Sequence, residues 1–429
     1  MRDVVITGCG VFTSAGATRQ VLGAALRANQ CCATKYPGEL PISEVAVVPE
    51  NVMYSAQECR LLFPDDRKCQ LGLMAITDAL SESLELPHRS VPEWLNDKAL
   101  ASYFGLRSDQ LALFVGTGLS SITPAEIECD LVPFLSGAAF DRAAMALDIS
   151  QDFPLGSGTP RISPNRHLPS RFASVVSQLL EIEGPVDSNF SACAAAAQAI
   201  AEGFRAVRRG QVEVAIVGGH DSMNHPMGLL SFQVLGALSP SRCRPFSANR
   251  DGFMLGEGAS YFVIESAQHA QKRGATAIAT VLGAGTSIDA WNATAPHPQG
   301  LGAEKAMRRA LKDAGLTAAD VSYVNAHGTG TPLGDAAESL AIKRVFDDVP
   351  VSSIKGAIGH TIAAAGAVEA AACIDMIEQG YFAGSVGFDG ENVLACNALA
   401  EPVFGDVSIV LSNSFGFGGQ NCSLIFGRC

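Results

Sequence analysis

The sequence ATAIATVLGAG at residues 275–285 restarts a pattern that first begins with DVVITGCG at residues 3–10. From each start, apolar runs typical of buried strands alternate with stretches whose apolar residues have helical spacing. The first series includes LALFV at 111–115 and VAIV at 214–217, and the second ends with VSIVLSNSFGFGG at 407–419. Because strands this apolar need helices on both faces of their sheet, the sequence predicts an α/β protein made of two similar halves.

The two series divide the chain into an N-terminal half, residues 1–265, and a C-terminal half, residues 266–429. Residues 120–180 interrupt the first half with Pro, Gly, Ser and short apolar pieces, which we interpret as an insertion. Since no short-period repeat is present, the duplication is one of domains and not a solenoid. The length of 429 residues and the hydrophobic content of 48% are sufficient for two domains with a large core.

The composition argues against several classes of function. The net charge of −13 opposes binding to nucleic acid, so any acidic partner must meet a local basic patch. No apolar run reaches the ~18–20 residues that span a bilayer, and the N-terminus shows no signal peptide, so we expect a cytoplasmic protein with no membrane partner. We expect no metal site, and the 12 cysteines, which form no CxxC pair, are mostly small buried residues in a reducing compartment.

One cysteine, Cys193, lies where an extended stretch meets an Ala-rich helix, in VDSNFSACAAAA at residues 186–197. A thiol at a helix N-terminus feels the positive end of the helix dipole and unpaired backbone N–H groups, and both lower its pKa. On this segment alone, a buried small residue beside alanines is the slightly better interpretation.

Two further segments place polar side chains at predicted strand-to-helix junctions. His327 follows the strand VSYVNAHG and precedes a glycine turn, so its ring is displayed at a strand end. Lys355 and His360 flank a glycine turn that enters another Ala-rich helix, and such surroundings perturb pKa values. Taken alone, a structural histidine and a solvated lysine at a helix cap are the plainer interpretations. Three junctions of the same design are stronger together than separately.

Four segments together resemble the β-ketoacyl-[acyl-carrier-protein] synthases, in particular the elongating type (KAS I/II) and the ketosynthases of polyketide assembly. They are SAC at 191–193, AHGTGTPLGD at 326–335, IKGAIGH at 354–360 and SNSFGFGGQN at 412–421. RPFSANRDGFMLGEGA at 244–259 also fits, and the similarity runs through nearly the whole chain. The resemblance implies a thiolase fold of duplicated α-β-α-β-α layered halves. It also implies an acyltransferase, a 3-oxoacyl-[acyl-carrier-protein] synthase of fatty acid or polyketide biosynthesis.

The resemblance implies a role for each catalytic residue. Cys193 would attack an acyl thioester and hold the acyl chain, which divides a decarboxylative Claisen condensation into two steps. The order Cys–His–His, completed by His360, implies elongation with malonyl-carrier protein and not initiation. His327 and His360 would stabilise the enolate left by loss of CO2, as neutral imidazoles that donate from Nε2. Lys355 would lie near both histidines and Glu338 and set their charge and orientation.

Other positions match residues around the substrate in the family. The backbone N–H groups of Cys193 and Phe417 would form an oxyanion hole. Phe417, which has glycines on both sides, matches a phenylalanine that gates the site between acylation and condensation. Thr329 and Thr331 match residues that hydrogen-bond the phosphopantetheine arm, and Leu119 matches a residue that lines the acyl tunnel.

The resemblance also implies an acyl carrier protein as partner, which delivers phosphopantetheine to an enzyme with no cofactor of its own. Because carrier proteins are acidic, this acidic chain needs localised basic residues to recognise one. Basic surface positions of relatives are matched by Arg67, Lys68, Arg161, Arg205 and Arg208. Relatives are dimers built across the edges of the central sheet, which leaves both a homodimer and a heterodimer with a related ketosynthase subunit open.

Three departures from the family pattern bear on the acyl substrate. Cys193 is followed by AAAA where elongating synthases usually carry a Thr or Ser, and His220–Asp221 replaces a more usual Ala/Thr–Glu. The stretch 87–110 is longer than in housekeeping relatives. We interpret these changes as favouring a polyketide or an unusual fatty acyl product over bulk fatty-acid synthesis.

Two alternative functions stay open at this point. A ring-forming or decarboxylating ketosynthase uses the same three residues, because cyclisation depends on the shape of the pocket. A non-catalytic partner subunit, similar to the chain length factors that pair with active ketosynthases, lacks the nucleophile. Cys193, His327 and His360 are all present here, which disfavours that second alternative.

Overall fold

A computed structural model of the chain describes residues 1–38, 40–53, 56–63, 66–86, 99–118, 168–391 and 393–429. Within them the helices are α1 (Arg19–Arg27), α2 (Ala56–Leu62), α3 (Arg67–Ser83), α4 (Leu100–Tyr103), α5 (Arg171–Leu179), α6 (Ala195–Arg208), α7 (Pro226–Val234), α8 (Ala267–Arg273), α9 (Leu301–Ala314), α10 (Pro332–Phe346), α11 (Lys355–Ile358) and α12 (Ala365–Gln379). The strands are β1 (Val4–Thr13), β2 (Gly16–Ala17), β3 (Thr34–Lys35), β4 (Glu44–Val45), β5 (Leu111–Thr117), β6 (Val186–Asn189), β7 (Val214–Ser222), β8 (Glu257–Ser266), β9 (Ala279–Ile288), β10 (Tyr323–Asn325), β11 (Pro350–Ser352), β12 (Tyr381–Phe382), β13 (Asn397–Ala398), β14 (Val403–Phe404), β15 (Ile409–Gly416) and β16 (Gln420–Gly427). Single 3-10 turns lie at Glu50–Val52, Ser108–Gln110, Ala192–Ala194, Ala318–Asp320, Ile362–Ala364 and Phe417–Gly419.

The central sheet consists of two halves with the same strand arrangement, which are joined by the antiparallel pairing of β1 with β9. In the described residues its strand order is β13-β11-β10-β15-β16-β9-β1-β8-β7-β5-β6, with β2 paired to β1. Outward from β1, strands β8 and β7 add antiparallel and strands β5 and β6 add parallel. Outward from β9, strands β16 and β15 add antiparallel and strands β10 and β11 add parallel. The predicted duplication of an α/β half is confirmed.

Alternate residues of the strands point to different cores, which produces the layers. In β5, Phe114 packs in the core that contains α6 and α12, whereas Leu113 and Val115 pack with α3. In the second half, Val410 of β15 faces the core of α6 and α12, whereas Leu411 packs with α9. The order α3, first half-sheet, α6 and α12, second half-sheet, α9 confirms the predicted α-β-α-β-α layers.

Close backbone contacts bring the helix that follows Cys193 against its neighbours. A Cβ added at Gly116 of β5 would lie 2.3 Å from the backbone N of Ala196, and one at Gly366 of α12 would lie 2.6 Å from the Cβ of Ala197. The α6 helix therefore begins directly on the sheet and crosses α12 at a glycine. These contacts fix the position of the residues at the start of α6.

Parts of four predictions lie outside the described residues. They are Leu119, Arg161, residues 87–98 of the stretch 87–110, and most of the predicted insertion at 120–180, of which α5 is described. The division of the chain after residue 265 stays a prediction; β8 ends at Ser266 and β9 begins at Ala279. Among the described helices none has the length and apolar character needed to cross a bilayer.

Candidate active site

The three residues predicted at separate junctions meet in one buried cluster. The Cys193 Sγ atom lies 3.1 Å from Nε2 of His360. The rings of His327 and His360 meet edge to face, with centroids 5.3 Å apart. One ligand-type atom from each of the three residues lies within 4.8 Å of the other two. The fold therefore brings together the groups that the sequence placed 134 and 33 residues apart (193 to 327, 327 to 360).

Cys193 lies in the 3-10 turn between β6 and α6. Ala192, the residue before it, has a φ of 49°, a left-handed conformation that is strained for a residue with a Cβ. A Cβ at Gly416 would lie 2.8 Å from the carbonyl oxygen of Ser191 and 3.1 Å from the backbone N of Cys193, so only glycine fits there. Gly416 thereby allows the chain leading into Phe417 to approach the amide of Cys193.

The hydrogen bonds of His360 determine which ring nitrogen carries the proton. The backbone N–H of Ile362 donates to Nδ1 of His360 over 3.2 Å, so Nδ1 is the acceptor and the neutral ring holds its proton on Nε2. Burial, with a smaller effect from the charge of Lys355, holds the pKa of His360 well below its usual value. His360 is therefore a neutral donor that points from Nε2 towards the sulfur of Cys193.

His327 reaches the same protonation state by another route. The ammonium of Lys355 lies 3.3 Å from Nδ1 of His327 and donates to the His327 carbonyl oxygen over 2.6 Å. A cation at Nδ1 leaves the ring proton on Nε2, as in His360. Burial, then the charge of Lys355, lowers the pKa of His327 well below its usual value. Both rings thus present N–H groups to the cleft.

The carboxylate partner of Lys355 is a residue that the sequence interpretation missed. Lys355 forms a buried ion pair with Glu369 of α12. Burial raises the pKa of Glu369 to about 7, and the charge of Lys355 opposes that rise. A single carboxylate in the apolar stretch TIAAAGAVEAAA was the available signal, because such a group needs a charged partner.

Glu338, predicted near Lys355 and influenced by its charge, fixes the loop of His327. Its two carboxylate oxygens accept the backbone N–H groups of His327 over 2.9 Å and of Gly328 over 2.8 Å. Asn413 donates to the same carboxylate over 3.2 Å. Burial raises the pKa of Glu338, and these hydrogen bonds oppose the rise. Glu338 orients the backbone that carries His327, and Lys355 contacts the ring.

The predicted low pKa of the Cys193 thiol is wrong. Burial raises the pKa of Cys193 to about 12, although the charge of Lys355 opposes this. The loss of hydration outweighs the helix terminus, since desolvation penalises the thiolate directly. At neutral pH Cys193 therefore rests as a thiol beside the Nε2–H of His360.

A cleft opens from this cluster to solvent. Thr329 and Thr331 line it, with their hydroxyl oxygens 2.9 Å apart. Thr331 also caps α10 by accepting the backbone N–H of Gly334 over 3.2 Å. Phe417 lies at the cleft with 36% of its surface exposed, followed by Gly418 and Gly419 at φ of 79° and 75°. Leu119 is not among the described residues.

The positions of the protons on the two imidazole rings determine whether the cluster of Cys193, His327 and His360 suits a metal ion. In metal sites the non-ligating nitrogen of a histidine usually donates to a carboxylate or carbonyl oxygen, which frees the other nitrogen to bind the ion. Here Nδ1 of His360 accepts from Ile362 and Nδ1 of His327 faces the Lys355 ammonium, so each Nε2 is protonated. The donor set favours hydrogen bonding to an oxygen of a substrate.

Two residues of the predicted basic patch form contacts with other residues of the protein. Lys68 is 5% exposed and donates to the carbonyl oxygen of Gly118 over 3.0 Å, so its placement in a surface patch is wrong. The guanidinium of Arg67 contacts the buried Glu257 at 2.9 and 3.0 Å. Sequence reasoning missed Glu257, the first residue of β8, because it is 190 positions away from Arg67.

The other two described members of the patch lie at the opposite end of the sheet. Arg208 pairs with Asp313 of α9, and its carbonyl oxygen accepts the backbone N–H of Arg2 beside the start of β1. Arg205 pairs with Glu202 on the same helix. Because β8 runs antiparallel to β1 for 10 residues, roughly 30 Å separates this end from Arg67. The four described members of the patch therefore do not form one surface.

A buried cysteine beside two neutral imidazole donors, at the junction of duplicated α/β halves, is the arrangement expected of a thiolase-fold condensing enzyme. The family models for the N-terminal and C-terminal domains of β-ketoacyl synthase match residues 1–270 and 278–389. The chain belongs to the β-ketoacyl synthase family and is a ketosynthase of the acyltransferase class.

Similar proteins support this assignment. Nodulation protein E of Rhizobium meliloti (strain 1021) is 41% identical over 280 residues, which cover 63% of this chain and 68% of that protein. The 3-oxoacyl-[acyl-carrier-protein] synthase 2 of Staphylococcus aureus is 38% identical over 290 residues, covering 63% and 71%. The crystal structure of a β-ketoacyl synthase from Burkholderia phymatum STM815 has a TM-score of 0.82 and 29% identity, with 100% of both chains covered.

A further similar structure contains a second subunit. It is a ketosynthase in complex with its chain length factor from Xenorhabdus doucetiae, with a TM-score of 0.75 and 27% identity. The match covers 100% of this chain and 98% of that one.

Proposed function

We propose that Cys193 of this ketosynthase carries the growing acyl chain and that His327 and His360 stabilise the enolate of a malonyl unit brought by an acyl carrier protein. The observation that carries the proposal is the pair of protonated Nε2 atoms beside one sulfur. Each imidazole is held in its donor form by a contact at Nδ1, from Ile362 in one case and Lys355 in the other.

The first step transfers the acyl chain from the carrier to the enzyme. The sulfur of Cys193 bonds to the acyl carbon, the carbon–sulfur bond to phosphopantetheine breaks, and the thiol proton passes to the departing sulfur. The amides of Cys193 and Phe417 stabilise the oxygen on which negative charge develops. Because the thiol rests protonated, the step supplies its own proton to the leaving group.

The second step joins the malonyl unit to the acyl chain. The malonyl thioester oxygen accepts hydrogen bonds from Nε2 of His327 and of His360, which stabilise the enolate when the bond to the carboxylate breaks and CO2 leaves. The enolate carbon bonds to the acyl carbon, and the bond from that carbon to Cys193 breaks. The thiolate of Cys193 takes a proton from solvent, and the β-ketoacyl product stays on the carrier.

The phosphopantetheine arm follows the side of the cleft that holds Thr329 and Thr331. Their hydroxyl groups lie between the histidines and the start of α10, where an extended thioester arm finds donors and acceptors along one wall. The enzyme needs no cofactor of its own in this scheme. The name of a relative from Staphylococcus aureus, 3-oxoacyl-[acyl-carrier-protein] synthase 2, includes the acyl carrier protein, which supports the proposal of this partner. Phe417 and its glycines form the proposed gate of the same cleft.

A dimer across β6 completes the proposal. In the described part of the chain β6 pairs on one side only, with β5, and Val186 and Phe190 at its two ends are exposed. An unpaired strand edge with exposed apolar residues favours pairing with another chain. The similar ketosynthase from Xenorhabdus doucetiae occurs with a chain length factor. Native mass spectrometry of the purified chain distinguishes a homodimer from a monomer that awaits a related subunit.

The acyl substrate is the largest open part of the function. We favour a polyketide or unusual fatty acyl chain, in a cytoplasmic pathway. The test incubates the enzyme with a panel of acyl-carrier proteins and malonyl-carrier protein and weighs enzyme and products by mass spectrometry. We expect an acyl adduct on Cys193 and a β-ketoacyl product for a subset of chain lengths, and neither with Cys193→Ala. A Cys193→Ala variant that condenses normally would overturn covalent catalysis.

A further inference from the structure

The turn that follows His360 has a strained backbone. Ile362 is β-branched and has a φ of 48°, in the left-handed region that such residues rarely adopt. Strain of this kind persists only where the surrounding structure holds it in place. The strain bears on catalysis because the N–H of Ile362 is the group that donates to Nδ1 of His360.

A buried carboxylate from the other half of the molecule holds this turn. Asp221, near the end of β7, accepts the backbone N–H of Ala363 on Oδ2 over 3.1 Å. Its other oxygen accepts the N–H of Ser222 over 2.9 Å. Asp221 is 0% exposed, and its carboxylate packs on Gly118, where an added Cβ would lie 2.1 Å from Oδ2. The carboxylate therefore has one position, and that position contacts the residue after Ile362.

The buried Lys68 supplies the positive charge near this carboxylate. Its ammonium donates to the carbonyl oxygen of Gly118, the residue against which Asp221 packs. Burial raises the pKa of Asp221 to about 6, whereas the charge of Lys68 and the N–H groups of Ala363 and Ser222 oppose the rise. A lysine predicted to bind the carrier protein instead lies behind the active site, beside an aspartate.

We propose that Asp221 is a positioning residue for His360, which acts through the backbone of Ala363 to hold the Ile362 N–H on Nδ1 and so keeps the proton of His360 on Nε2. Lys68 keeps the carboxylate ionised. The inference rests on the proposed role of His360 as a donor to the malonyl enolate. It assigns a function to the Asp of His220–Asp221, the pair that departs from the family pattern.

The groups that face Asp221 define its pH response. From α3 this is Lys68, and from the N-cap position of that helix it is Asp66, with the opposite effect. From the turn before α6 it is the thiol of Cys193, whose pKa Asp221 helps to raise. The pKa of Asp221 lies above its usual value, so the ionised form prevails above about pH 6 and is lost as the pH falls through that value. We expect decarboxylation by the wild type to decline on the same acid side.

The experiment compares two half-reactions in Asp221→Asn, Asp221→Glu and the wild type. Decarboxylation of malonyl-carrier protein depends on His360, and acylation of Cys193 by an acyl-carrier protein reports the rest of the site. We expect Asp221→Asn to slow decarboxylation about 10-fold, the effect of about one hydrogen bond to a charged group, and acylation much less. Its decarboxylation rate should lose the acid decline near pH 6, and Asp221→Glu should restore both features. Asp375→Asn, at another buried aspartate, is the matched control and should leave the ratio of the two rates unchanged.

A second variant keeps the proposal testable if Asp221→Asn does not fold. Lys68→Met removes the charge that favours the carboxylate, so the acid decline should move about 1 pH unit or more towards higher pH. Equal loss of both half-reactions in Asp221→Asn, or an acid decline that neither variant moves, would overturn the proposal. His360→Ala separates this failure from that of the proposed function, because normal decarboxylation in His360→Ala would remove the role of His360 itself.

Discussion

Two turns, one in each half of the molecule, have the same backbone and different tasks. Each is a 3-10 turn that enters a central helix, at Ala192–Ala194 before α6 and at Ile362–Ala364 before α12. Their first residues have φ of 49° and 48°, and the second residues are Cys193 and Ala363. The duplication therefore places an alanine where the first half has Cys193.

The two turns differ in the group that contacts the backbone N–H of their second residue. In the second turn the N–H of Ala363 donates to the carboxylate of Asp221. In the first turn the chain approaches the amide of Cys193 at Gly416, where an added Cβ would lie 3.1 Å from the Cys193 backbone N. In the proposed mechanism one copy of the turn meets a substrate oxygen, and the other, bound to Asp221 of the opposite half, supports His360. A duplicated fold has become asymmetric through the groups that face one backbone N–H.

The largest expected effect comes from moving the nucleophile between the two turns. A variant with Cys193→Ala and Ala363→Cys should lose condensation by at least ~10³-fold, because the thiol would lie beside the Asp221 carboxylate and away from both imidazoles. Product formation from acyl- and malonyl-carrier protein, read by mass spectrometry, measures the loss. Ala363→Cys alone is the control for folding. Activity recovered in the double variant would show that the turns are interchangeable.

Removal of either imidazole should have the next largest effect. We expect His327→Ala and His360→Ala each to slow malonyl decarboxylation by about 10²–10³-fold, the cost of one donor to a developing oxyanion. The double variant should lose less than the product of the two, since both donors serve one oxygen. Release of CO2 from malonyl-carrier protein measures each rate. A double variant with normal decarboxylation would contradict the assigned roles.

The state of the thiol gives a smaller, graded effect. Because burial raises the pKa of Cys193 to about 12, its alkylation by iodoacetamide should rise about 10-fold per pH unit between pH 7 and 10. Peptide mass spectrometry follows the adduct on Cys193, with Cys193→Ala as the blank. A plateau below pH 9 would mean that the helix N-terminus and not burial controls the thiol.

The smallest effect on the reaction should come from the contact between the two central helices. Gly366→Ala places a methyl group 2.6 Å from the Cβ of Ala197, and such overpacking typically costs about 1–3 kcal/mol. The free energy of unfolding, measured by denaturant titration, should fall by that amount, and activity per folded molecule should change little. Gly405→Ala, whose Cβ would meet only a Phe382 ring carbon at 3.4 Å, is the matched control. Equal stability of both variants would contradict close packing at Gly366.

Local sequence patterns were sufficient for the layers and for selecting three side chains that the fold brings together, whereas their catalytic roles stay predictions. Strands such as 111–115 and 214–217 are apolar on both faces, which is what a sheet between two helix layers requires. Cys193 and His327 follow a strand or extended stretch, and the ends of strands converge at one edge. His360 follows the short helix α11 and its glycine cap. The family resemblance then gave the chemistry that no single junction established.

Pairings between distant residues could not be read from the sequence. Arg67 and Glu257 are 190 positions apart, and the sequence around each residue does not indicate the other as its partner. Lys68 looks like a surface lysine at the start of a helix, yet it is buried. The prediction of a low pKa for Cys193 was wrong for a related reason. The helix N-terminus can be read from the sequence, whereas the depth of burial cannot. Each wrong prediction inferred the environment of a residue from its neighbours in sequence, whereas the tertiary structure determines that environment.

The burial of Cys193 has a consequence for covalent inhibitors. A thiol at rest is a poor nucleophile, and this one lies at the base of a cleft lined by Phe253, Phe415 and Phe417. Strongly reactive electrophiles should modify the exposed Cys429 first. Selectivity for the catalytic cysteine would come from an apolar body that fits the cleft, places a mild warhead between the two imidazoles and lets their N–H groups activate it.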